Sequence, residues 1–121
     1  MVAAATAAVL AGAGLAAASP AAADTPSTCQ QDGVAQLCAS STSAPDNLAI
    51  NYTVTQFDGP GTYSAYYVST STGASSTSQT VGPLVYQGTA SSTFYAALGD
   101  CYNVYLISSA GTSLVTGPVC G

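Results

Sequence analysis

Five aspartates carry every formal charge of this 121-residue chain: Asp24, Asp32, Asp46, Asp58 and Asp100. There is no Lys, Arg, His or Glu, and the net charge is −5. General acid–base work near neutral pH draws on His, tuned carboxylates, Lys or Tyr, and only Asp and Tyr are present. The many Ser and Thr hydroxyls have no adjacent His or Lys to activate them as nucleophiles. No Arg is available to clamp a phosphate or carboxylate. The one catalytic arrangement left is a carboxylate pair drawn from Asp46, Asp58 and Asp100. None of these lies in an Asp-Thr-Gly or Asp-Ser-Gly motif, and Asp32-Gly33 and Asp58-Gly59 have the chemistry of turns. The sequence therefore reads as that of a non-enzyme, with no catalytic residue. A surface without cations also excludes nucleic-acid binding and electrostatic attachment to anionic lipid.

No metal or cofactor is expected. The four cysteines, Cys29, Cys38, Cys101 and Cys120, form no C-x-x-C and have no His beside them, which argues against zinc. Asp46, Asn47 and Asp100 together fall short of the six to eight oxygens that calcium takes. An even cysteine count in a short exported chain reads instead as two disulfides. Cys101 and Cys120 are equidistant from the Ala110–Gly111 bond. A hairpin with the four-residue loop Ser109-Ala110-Gly111-Thr112 would set them opposite each other at a close, non-hydrogen-bonded pair. Cys29 and Cys38 are equidistant from the Gly33–Val34 bond. There a type II′ Gly-Val turn does the same. The spacing thus predicts two local hairpin staples, although the count alone allows two other pairings.

The elements that must position these residues are short strands. Gly, Pro, Asn and Asp recur at close intervals between runs of Val, Ile, Tyr and Thr, with no helical period. Leu48, Ile50, Tyr52 and Val54 alternate with Ala49, Asn51, Thr53 and Thr55, so the first set faces a core and the second water. Thr62–Ser69 follows the turn at Phe57–Gly61 and puts Tyr63, Ala65 and Tyr67 on one face. Ser69–Thr80 reads as a polar edge strand or a loop. Leu84–Tyr86, Thr93–Ala97, Cys101–Ser108 and Leu114–Cys120 are further strands. The Ser/Thr clusters at 40–43, 69–80 and 89–93 are hydrated surface and suitable for O-linked sugars.

Ahead of this domain lies a different kind of segment. Val2–Ala18 is an apolar run, broken by Ser19-Pro20 and followed by Ala21-Ala22-Ala23. That is the h-region and cleavage site of a secretory signal peptide, giving a leader of residues 1–23 and a mature domain of residues 24–121. The run is short for a membrane span, which needs about 20 residues. The leader carries no Lys or Arg, which points to a truncated n-region and a start further upstream. Its Ala-rich composition resembles the export signals of actinobacteria.

About seven strands in a domain of this size predict an all-β, antiparallel β-sandwich. Leu98-Gly99-Asp100-Cys101-Tyr102-Asn103-Val104-Tyr105-Leu106, followed by Ser109-Ala110-Gly111-Thr112-Ser113, resembles the last two strands of a fibronectin type III or immunoglobulin-like domain. The resemblance implies that Tyr102 forms the tyrosine corner of that fold. It also implies that the strands holding Tyr66 and Tyr105 are neighbours. Alternation turns these two away from Tyr67 and Tyr102, so they would line an exposed aromatic face suited to a sugar, peptide or flat apolar ligand. Tyr66 and Tyr105 are thus the candidate ligand-binding residues, with ordinary sheet packing the competing reading. The function expected is a secreted binding module for an extracellular small molecule, glycan or protein, without a membrane attachment once the leader is cleaved. The alternative is a structural protein of the cell surface or an extracellular layer, for which low charge and self-association would suit.

Overall fold

The computed structural model describes residues 24–121, so the signal peptide expected over 1–23 lies outside the described residues. Nine strands are present among them: β1 (Thr28–Gln31), β2 (Ala35–Ser43), β3 (Leu48–Gln56), β4 (Gly61–Ser69), β5 (Gln79–Leu84), β6 (Thr89–Ala96), β7 (Cys101–Ser108), β8 (Ser113–Val115) and β9 (Val119–Cys120). They form two antiparallel sheets. Sheet I has the order β1-β2-β3-β6; sheet II has the order β9-β7-β4-β5, with β8 also paired to β7. About seven strands were expected; the last of them, Leu114–Cys120, is split in two. No helix among the described residues is long and apolar enough to cross a membrane.

Alternation decides which side of each sheet is buried. Leu48, Ile50, Tyr52, Val54 and Gln56 of β3 are 0–2% exposed, while Ala49, Asn51, Thr53 and Thr55 stand on the other side. Leu37 and Ala39 from β2, Ala65 from β4 and Val104 and Leu106 from β7 join the same apolar cluster, so both sheets contribute to one core. Aromatic rings tie them together. Phe94 of β6 stacks on Tyr52 with centroids 5.2 Å apart and meets Tyr67 of β4 edge-on at 5.4 Å. Tyr67 in turn meets Tyr102 at 5.0 Å. Burying such rings and aliphatic side chains contributes about 1.5–3 kcal/mol each.

Buried polar groups are satisfied. Gln56 continues the β3 alternation into the core at 1% exposure. Its amide donates to Asp58 O at 2.8 Å and its carbonyl oxygen accepts the Tyr63 hydroxyl. On one flank, Tyr52 Oη donates to Gln79 Oε1 at 2.6 Å and Gln79 Nε2 donates to Thr93 O at 3.2 Å, joining β3, β5 and β6. On the opposite flank, Ser41 Oγ donates to Cys120 O at 2.6 Å and Cys120 N–H to Thr25 Oγ1 at 2.9 Å.

Both expected disulfides are present. Cys29 pairs with Cys38 at a Cα separation of 4.0 Å, and Cys101 with Cys120 at 4.1 Å. The turns that bring them together differ from expectation. The β1–β2 turn keeps its register, but Gly33 does not adopt the positive φ of a type II′ turn. The Asp32 carboxylate decides this: Oδ1 accepts from Val34 N–H at 2.8 Å and Ala35 N–H at 2.9 Å.

The β7–β8 hairpin has a three-residue loop, not the expected four. Ser108 N–H donates to Thr112 O, Gly111 N–H donates to Ser108 O, and Gly111 has φ +94. This is a type I turn with a glycine bulge. The pairing Ile107↔Ser113 near the loop is therefore one residue out of step with Tyr102↔Val119. Thr116-Gly117-Pro118 absorbs the extra residue: Thr116 Oγ1 takes the Val104 N–H at 3.1 Å, and Pro118 has no N–H to lend the ladder. That is why Leu114–Cys120 is two short strands.

Leu84–Tyr86 is not a strand either. β5 ends at Leu84, and the chain turns at once towards sheet I, with Gly88 N–H closing on Val85 O at 2.9 Å. Val85 and Tyr86 are left 69% and 61% exposed. The Ser/Thr segment 69–80 resolves into a turn, an isolated bridge between Val68 and Ser75, and the start of edge strand β5.

Candidate functional site

The outer face of sheet II is assembled by the β4–β7 register. Tyr66 lies directly opposite Tyr105, between the pairs Ser64↔Ile107 and Val68↔Asn103. Neighbouring strands run about 4.8 Å apart, so two rings at opposed positions must meet. They stack with centroids 5.2 Å apart and planes 2° from parallel. Val115 of β8 lies opposite Tyr105 on its other side and is 40% exposed. The result is a row of Val68, Tyr66, Tyr105, Ile107 and Val115 on one face of three strands.

The structure thus brings the two candidate tyrosines together on the side away from the core, as their parity requires. Each ring gives one face to its neighbour, and both are half-buried. Both hydroxyls stand free of hydrogen-bond partners among the described residues. Val68, Ile107 and Val115 were not singled out from the sequence. The signal was available: Val68 and Ile107 share the parity of Tyr66 and Tyr105.

Charge is confined to other parts of the molecule. Asp24 precedes β1, and the other four aspartates lie in connections between strands, so no carboxylate sits on either sheet face. Asp24 Oδ1 accepts the Ser43 N–H and hydroxyl at 2.9 and 2.6 Å. Asp100 is held by Ser69 Oγ at 2.6 Å, Ser71 Oγ at 2.8 Å and the Cys101 N–H at 2.7 Å. The two hydroxyls, more than the backbone N–H, hold its carboxyl below the ordinary value of 3.8. Asp100 serves as an anchor between β4 and β7. No group of three or more His, Cys, Asp or Glu able to hold a metal occurs among the described residues.

Tyr102 Oη, on the buried side of β7, donates to Ala97 O at 2.6 Å. Burial raises the phenols of Tyr52, Tyr63 and Tyr102 above their ordinary 10.0. These three rings belong to the core.

Two clefts open on the surface. The first, of about 190 Å³, lies at the end of the molecule where the β1–β2 turn, the start of β4 and the β7–β8 loop converge. The second, of about 200 Å³, lies along the β5–β6 flank and is lined by Tyr52, Thr80, Val81, Ala90, Ser91 and Ser92 among others. Neither contains more than one ionisable group with an acidic side chain. No protein-family model, no curated protein and no solved structure matches this chain.

Proposed function

We propose that this chain is a secreted, non-enzymatic binding module: an immunoglobulin- or fibronectin type III-like β-sandwich that offers its Tyr66–Tyr105 face to an extracellular ligand or partner protein. The observation that carries the reading is the stacked tyrosine pair on a charge-free face, flanked by Val68, Ile107 and Val115. Tyrosines give such a face rigid contact area with a polar tip. Contiguous exposed apolar surface marks interaction sites on soluble domains.

The sandwich reading draws support from the strand order of the two sheets, from the core that both share, and from the Tyr102–Ala97 bond at the position of a tyrosine corner. Secretion draws support from two disulfides, which persist in oxidising compartments, and from the leader-like residues 1–23. Titration calorimetry against a panel of soluble oligosaccharides and peptides tests the binding reading. Saturable binding that disappears in the Tyr66→Ala/Tyr105→Ala variant supports it. Saturable binding that survives the double substitution overturns the site.

The second reading, a structural surface protein, draws on β6. This strand runs eight residues at the edge of sheet I with no charge and no proline to discourage pairing with another chain. Sedimentation at high concentration separates the two: a strict monomer counts against assembly.

A further inference from the structure

We infer that the cleft at the Asp32 end is a second binding site, one that takes a small aromatic amine. The inference stands apart from the tyrosine face, which lies on the outer side of sheet II. The cleft has buried apolar walls. Ala35, Tyr63, Leu106 and Leu114 line it at 1–8% exposure, and Pro60 and Val34 extend the apolar surface to its rim. Its volume of about 190 Å³ is somewhat larger than the engineered apolar cavities of about 150 Å³ that admit benzene. It is smaller than the pockets of about 300–1,000 Å³ that hold drug-sized ligands. One aromatic ring and a short tether fill it.

The polar side of the cleft selects the sign of the ligand. Asp32 is its only ionisable carboxyl. Oδ1 holds the two backbone N–H groups of its own turn, while Oδ2 makes no hydrogen bond among the described residues. The chain contains no Lys, Arg or His, so no side chain can neutralise this charge. Its field also reaches the cleft wall, since Asp32 contributes to raising the Tyr63 phenol after the larger effect of burial. The other polar side chains lining it include Gln56 and the hydroxyls of Thr62, Ser108, Ser109, Thr112 and Ser113, and a hydroxyl accepts from an ammonium as readily as it donates. An anion there would meet a carboxylate and no cation. A ring with an ammonium two or three bonds away satisfies both halves: the ring packs on Tyr63 and Leu106 and the ammonium meets Asp32.

The test is an amide-shift titration of the secreted protein with three probes of one shape: 2-phenylethylamine, 2-phenylethanol and 3-phenylpropanoate. The amine should shift the amides of Ala35, Thr62, Tyr63 and Leu106 saturably. The alcohol should bind about fivefold more weakly, the size of a solvent-exposed ion pair, and the carboxylate not at all. Asp32→Asn keeps an Oδ1 acceptor for Val34 and Ala35 and so keeps the turn, which its melting temperature reports. That variant should bind amine and alcohol alike. Should it fail to fold, the salt dependence of the wild-type protein decides: added salt should weaken the amine and leave the alcohol unchanged. The proposal is overturned by no saturable shift at these amides, by equal affinity of the wild-type protein for amine and alcohol, or by amine affinity that ignores both Asp32→Asn and salt.

Discussion

On the outer face of sheet I, Thr53 and Ser91 hydroxyls meet at 2.8 Å and Thr93 Oγ1 donates to Asn51 Oδ1 at 2.9 Å. On the outer face of sheet II, β4 and β7 present Tyr66 stacked on Tyr105, with Val68, Ile107 and Val115 around them. Behind both faces lies the same kind of alternation and the same core. The first face is closed chemically: its polar side chains bond one another across strands. The second carries a half-buried, stacked tyrosine pair with the exposed Val115 beside it. One aromatic crosses the pattern, since Tyr95 on sheet I, opposite Ala49, is 66% exposed. Its cross-strand partner is only an alanine, and it stacks on no other ring among the described residues. The contrast separates what holds this chain together from what it has to offer.

The sharpest way to test that separation is along β7 itself. Leu106 is 1% exposed and Tyr105, its neighbour in sequence, points outward. Leu106→Ala should cost about 2–5 kcal/mol of stability in urea unfolding, and Tyr105→Ala distinctly less. Equal costs would mean that the outer face is structural.

Alkali probes the inner tyrosines as a set. Tyr52, Tyr63 and Tyr102 have folded-state values above 10.0 because burial disfavours the phenolate. Between about pH 9 and 12 the unfolded chain therefore loses protons that the folded chain retains. The stability these groups confer is complete below the unfolded value and is lost as pH rises through the folded one. Melting temperature should fall steadily across that window. A flat profile would contradict the burial of the three phenols.

The Tyr66–Tyr105 stack should itself be worth little to the fold. A double-mutant cycle with Tyr66→Ala and Tyr105→Ala should return a coupling of about 0.5–1.5 kcal/mol. The corresponding cycle at Thr53 and Ser91 should give about 0.2–1 kcal/mol. A coupling of several kcal/mol at the tyrosines would convert them from a surface feature into a structural one.

Much of this arrangement was legible in the sequence, for reasons of symmetry and parity. Equal spacing about Gly33–Val34 and Ala110–Gly111 gave both disulfides, and alternation gave the core side of β3, β4 and β7. What escaped was decided by contacts outside the local pattern. The Asp32 carboxylate chose its turn type by capping two N–H groups, and Thr116 absorbed a register shift with its side chain. Val85 and Tyr86 have strand-forming side chains, but the chain must cross from one sheet to the other there. Tyr66 and Tyr105 could be assigned to the outward side from parity alone. Their meeting depended on which strands pair, and the aliphatic residues around them on the registers of β7 with β4 and β8. The cleft at Asp32 joins three segments far apart in sequence and had no local signal.

The central claim is that sheet II has a binding face and sheet I does not. Amide-shift mapping of the protein during titration with an oligosaccharide or peptide that binds it saturably tests this most directly. The account predicts shifts concentrated at Tyr66, Val68, Tyr105, Ile107 and Val115, with Asn51, Thr53, Ser91 and Thr93 unmoved. Shifts centred on the Thr53–Thr93 face, with the tyrosine pair silent, would contradict it.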